Sequence, residues 1–154
     1  MLWISARVGF INEWSDVPLN KLRVVIAEDN PAVLRQLVLL LAAEFDVVAT
    51  AENGLLALKH IRQRNPDVVV LDLKMPILDG AEVARQINGS LSAPAIVICS
   101  VETDPEIVAA AQQAGALGYV FKTSMARDLV VAVKAAARGE IFVSVLDRNG
   151  IGNC

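Results

Sequence analysis

Residues 67–80 read DVVVLDLKMPILDG, and the fold turns on how this stretch is interpreted. Its first five residues, 67–71, are an almost unbroken aliphatic run, as required of a strand covered by helices on both faces rather than one with a wet side. Pro66 stops the helical pattern before it, and Gly80 opens another that runs to Ile87. A buried strand between two helices is the repeating unit of a parallel sheet. At its end stands Asp72.

Working outward, four more strand candidates appear at residues 22–27 (LRVVIA), 47–51 (VVATA), 95–99 (AIVIC) and 118–121 (GYVF). Helical patterns separate them. Asn30-Pro31 supplies an N-cap and first-turn proline for a helix to about Glu44, and Asp104-Pro105 does the same for one ending near Gly115. Asn53 starts a helix to about Arg64, and Ser124 is placed to cap the last one, which runs to Gly139. This alternation predicts an α/β, flavodoxin-like fold: a doubly wound, five-stranded parallel sheet with helices on both faces.

In such sheets ligands bind at the carboxyl ends of the strands, near the switch in strand order, so the residues following each strand carry the functional information. Glu28 and Asp29 follow the first strand, Asp72 the third, Ser100 the fourth and Lys122 the fifth. Three carboxylates gathered at one place repel each other and call for a cation. Oxygen ligands with room for water suit Mg²⁺. Asp72, after the central strand, is the best-placed nucleophile for an incoming phosphoryl group. Lys122 would pair with its oxygens, and Ser100 would donate a hydrogen bond to one.

Other features limit the alternatives. A length of 154 residues fits one domain, and the 55% hydrophobic composition argues against disorder. No apolar run is long enough for a bilayer, and a net charge of −3 without a basic block offers nothing to bind nucleic acid directly. Cys99 reads as a small buried hydrophobe and His60 as a solvated helix residue, so zinc and Cys/His catalysis are unsupported. A haloacid-dehalogenase-type phosphatase would need a second Asp where Lys74 stands, and a dinucleotide-binding domain would need glycines where Glu28-Asp29-Asn30-Pro31 stand.

The segments VIAEDN (25–30), LDLKMPILDG (71–80), ICS (98–100) and GALGYVFK (115–122) resemble the receiver domains of two-component response regulators, over roughly residues 22–140. The GAxGYVxK segment looks most like the NarL/FixJ type. The resemblance implies a CheY-like fold. Asp72 would accept a phosphoryl group from a histidine kinase, phosphotransfer protein or small phosphodonor. Glu28, Asp29, Asp72 and the Lys74 backbone carbonyl would hold Mg²⁺, while Ser100 and Lys122 would sense the phosphoryl group. Tyr119 matches the family's switch aromatic, expected to turn inward when the hydroxyl residue moves. Lys74, Val101 and Glu102 occupy positions that tune phosphate lifetime. Val101 is bulkier than the small residue often found there, and Lys74 and Glu102 are expected to pair over the site.

The implied readout surface, for an effector or a second copy, is region 104–138, with Arg127, Asp128, Lys134 and Arg138 as candidate contacts. Residues 1–20 read as a poorly specified extension without signal-peptide features, and residues 141–154 as a short tail without a DNA-binding domain. The expectation is therefore a cytoplasmic receiver, stand-alone or part of a truncated transcriptional regulator. The alternative is a phosphate-independent docking or dimerisation module.

Overall fold

The computed structural model describes residues 21–146. Residues 1–20, which include the expected extension, and 147–154 lie outside the described residues. The element order is β1 (Arg23–Ala27), α1 (Pro31–Ala42), β2 (Asp46–Ala51), α2 (Gly54–Arg64), β3 (Val68–Leu71), α3 (Gly80–Ile87), β4 (Ala95–Ser100), α4 (Pro105–Gln113), β5 (Gly118–Phe121), a 3₁₀ turn (Lys122–Ser124), α5 (Met125–Ala137) and β6 (Phe142–Val143). All strand pairs are parallel, in the order β2-β1-β3-β4-β5-β6. Relative to the sequence expectation the sheet gains one short strand, β6, from the region read as a tail.

Side chains alternate across the sheet into two cores. Val25, Val69, Leu71, Ile96, Ile98 and Phe121 face α2, α3 and α4. Val24, Ile26, Val68, Val70, Val97 and Val120 face α1 and α5 through Leu37, Leu41, Leu129 and Val133. Strands β1 and β3 are entirely apolar after Arg23 because both of their faces are covered.

The helix starts follow the expected capping chemistry with one exception. Asn30, Asn53, Asp79 and Asp104 each accept backbone N–H bonds from the first turn. Ser124 stands at the N-cap of α5 but makes no capping bond, because the preceding 3₁₀ turn carries the chain into the helix and the Lys122 carbonyl accepts the Met125 N–H. His60, expected in solvent, is half-buried, with its Nδ1 shielded from water. Cys99 is buried as expected, and burial pushes its thiol up to about 12.

Candidate functional site

The strand order reverses between β1 and β3, and these two strands end in register, Ala27 beside Leu71. Glu28 and Asp72 therefore emerge side by side at the carboxyl edge. One oxygen from each of Glu28, Asp29 and Asp72 lies within 4.8 Å of the others. Glu28 and Asp72 are buried, while Asp29 is exposed. An all-oxygen set with one open side fits a hard divalent cation such as Mg²⁺, which keeps several waters.

Lys122 reaches back from the end of β5 into this cluster, its Nζ 2.7 Å from Glu28 Oε1 and 3.3 Å from Asp72 Oδ2. The other Glu28 oxygen accepts the Asn30 N–H at 3.1 Å. Burial, reinforced by the nearby Asp72 charge, holds the Glu28 carboxyl above its ordinary value despite the lysine and the Asn30 bond. Burial alone would lower Lys122, but the Glu28 bond and the Asp72 charge outweigh it and its ammonium is held above the usual value. The cluster thus carries more negative charge than its lysine neutralises.

The loop from Asp72 to α3 is shaped by backbone constraints. The Gly80 N–H donates to the Leu73 carbonyl, and a Cβ on Gly80 would lie 2.2 Å from the Asp72 carbonyl oxygen, so only glycine permits that approach. Ile77 has φ +73, and the Leu78 N–H bonds back to the Pro76 carbonyl at 2.8 Å, forming a strained γ-turn.

The β4–α4 loop forms the other wall. Lys74 Nζ lies 2.9 Å from Glu102 Oε2, the pairing across the mouth expected from sequence. The Ser100 hydroxyl accepts the Glu102 N–H at 3.1 Å. Tyr119 is fully buried, and its hydroxyl donates to the Glu102 carbonyl at 2.8 Å. Burial holds this phenol above its ordinary value. The ring is therefore already inward while Ser100 is engaged with its own loop. Val101 is exposed beside these residues in the chain.

Of the four candidate contact residues on the readout face, Asp128 is corrected: it is buried, bonded to Arg127 and to Ser144. Lys134 pairs with Glu44, and Arg138 with Glu140. The sequence reading missed Ser144, whose hydroxyl sits at the end of β5; a lone serine beyond a two-residue strand carries no pattern to mark it.

A doubly wound parallel sheet with three carboxylates and a lysine at its switch point defines a flavodoxin-like domain built around an acidic pocket. Residues 24–134 match the response regulator receiver domain, and the chain belongs to that family. The transcriptional regulatory protein NarL of Mycobacterium tuberculosis is 36% identical over 126 residues, covering 80% of this chain and 58% of that protein. The chain thus spans somewhat under three fifths of this curated relative. The receiver domain structure of NarL from the same organism aligns with TM-score 0.74 and 35% identity, covering 78% of this chain and 98% of that one. The isolated receiver domain of RcsB from Salmonella enterica, solved in the presence of the phosphomimetic BeF₃⁻, aligns with TM-score 0.73 and 25% identity, covering 81% and 94%. The chain is a NarL-like receiver domain of the two-component response regulators. Among the described residues no helix is long and apolar enough to cross a membrane.

Proposed function

We propose that this chain is a cytoplasmic phospho-switch that accepts a phosphoryl group on Asp72 from a histidine kinase, a phosphotransfer protein or a small phosphodonor. The observation that carries this reading is the buried Asp72 carboxylate, sharing its pocket with Glu28, Asp29 and Lys122. An Asp72 oxygen attacks the donor phosphorus; the new O–P bond forms as the donor's P–N or P–O bond breaks, a nitrogen leaving group taking up a proton from solvent and a carboxylate departing as its anion. Mg²⁺ held by Glu28, Asp29, Asp72 and the Lys74 carbonyl would neutralise charge developing on the phosphoryl oxygens.

Lys122, now shared between Glu28 and Asp72, exchanges a carboxylate for a phosphoryl oxygen. Ser100 gives up the Glu102 N–H to donate its hydroxyl to another, which loosens the loop holding Tyr119. The readout surface is region 104–138 without Asp128, offered to an effector or a second copy. The chain catalyses only its own phosphorylation and dephosphorylation.

Intact-protein mass after incubation with phosphoramidate or acetyl phosphate and Mg²⁺ tests this. A gain of one phosphoryl mass in the wild type, absent without Mg²⁺ and in Asp72→Ala, is expected, and the label should be lost faster from Val101→Ala. No gain from any donor would leave a phosphate-independent docking module.

A further inference from the structure

After α5 the chain turns at Gly139, with φ +79, where the Gly139 and Glu140 N–H groups bond to the Ala136 and Ala135 carbonyls, and β6 then runs alongside β5. The Phe142 N–H donates to the Leu117 carbonyl at 3.0 Å and the Ser144 N–H to the Tyr119 carbonyl at 2.9 Å. At the next rung the backbone ladder gives way to a side chain. The Phe121 N–H is met by the Ser144 hydroxyl at 3.1 Å, and that hydroxyl donates to Asp128 Oδ2 at 2.7 Å. Asp128 is itself gripped by Arg127 through both oxygens, at 2.8 and 3.1 Å. Phe121, Ser144 and Asp128 are all buried.

Phe121 immediately precedes Lys122, so this chain of bonds ends on the Val120–Phe121 peptide, one unit before the pocket's lysine. Strand β4 holds the same residue from the other side, with Ser100 beside Phe121. A lysine has a long flexible stem and aims only as well as its backbone is held. The present partners of Lys122 in the pocket are Glu28 and Asp72, and on the phosphoacceptor reading both would be re-engaged by a cation and a phosphoryl group.

We propose that Ser144, oriented by Asp128, is a positioning residue for Lys122: it locks the last residue of β5 and so aims the ammonium at the phosphoryl group. The proposal rests on the phosphoacceptor reading of Asp72. The hydroxyl suits this task because it serves both directions at once, accepting from Phe121 and donating to Asp128, so neither partner is left bare in the interior.

Ser144→Thr and Ser144→Val are nearly isosteric and differ in the hydroxyl. For both, and for wild type, the measurements are melting temperature, Mg²⁺ affinity by calorimetry, and the rate of phosphoryl uptake from phosphoramidate at saturating Mg²⁺. The threonine variant should stay within about twofold of wild type. The valine variant should take up phosphoryl roughly tenfold more slowly, a loss in keeping with slight misplacement of a catalytic group. Its Mg²⁺ affinity should be equal to or tighter than that of wild type, because a poorly aimed lysine competes less for Glu28 and Asp72. Wild-type uptake in the valine variant, equal slowing in both variants, or a joint fall of uptake and Mg²⁺ affinity overturns the proposal. Should the valine variant fail to fold, Asp128→Asn decides: slower uptake at unchanged Mg²⁺ affinity supports the proposal and wild-type uptake overturns it. A wild-type protein that takes up no phosphoryl group removes the phosphoacceptor reading and the positioning role together, whereas a fast valine variant removes only the second.

Discussion

Glu28 and Asp128 are both buried carboxylates facing a basic side chain, yet their carboxyls move in opposite directions. Burial dominates at Glu28 and pushes it up, with the Asp72 charge adding to the shift. At Asp128 the Arg127 bonds come first and hold it below its ordinary value, with help from Ser144, against a smaller effect of burial. Both acids have a donor at each oxygen, but Asp128 keeps its arginine to itself, whereas Glu28, met by Lys122 and the Asn30 N–H, shares that lysine with a second acid. The contrast separates a completed structural clamp from a pocket left electrostatically incomplete, which a cation can finish.

The largest expected effect is on the clamp. Asp128→Ala should cost about 3 kcal/mol in urea unfolding at neutral pH, because it strips the Ser144 hydroxyl and the Arg127 fork of a buried acceptor. Since the folded carboxyl lies below its ordinary 3.8, its contribution is fully present above that pH and fades as pH falls through the folded value. The gap between wild type and Asp128→Ala should therefore narrow only in acid below about pH 4. A gap that stayed constant into strong acid would break the contrast.

The pocket should respond with the opposite sign. Mg²⁺ at a hundredfold its Kd should stabilise the wild type by about 2.7 kcal/mol in thermal melts. Without Mg²⁺, Asp72→Asn should itself stabilise by about 1 kcal/mol, by relieving carboxylate repulsion, and should blunt the response to Mg²⁺. A destabilised Asp72→Asn would mean that the Lys122 pairing already balances the cluster.

The smallest effect is at the mouth. Lys74 is largely exposed, so Lys74→Ala should change stability by less than about 0.5 kcal/mol despite the 2.9 Å pairing with Glu102. A larger loss in urea unfolding would show that this pair holds the Glu102 loop, and through its carbonyl Tyr119, more firmly than a surface ion pair does.

What the sequence by itself determined is the sheet and the membership of the pocket. Short β-branched runs such as 68–71, bounded by helix breakers, read as strands covered on both faces, and parallel winding brings the residues that follow those strands to one edge. The helix opening at Gly80 was legible from its local pattern, while its cap, Asp79, was supplied by the structure. Tertiary structure alone decided the rest. A two-residue strand such as β6 has no periodicity to read, and its Ser144 meets Phe121 across 23 residues of chain. Asp128 stands on α5 with Arg127 as its only charged neighbour between residues 123 and 133, and in the folded chain its carboxylate lies under the Arg127 fork and accepts from Ser144. Of the two donors that close on Asp128, Arg127 is its neighbour in sequence, but Ser144 lies sixteen residues on and is brought there only by the packed chain.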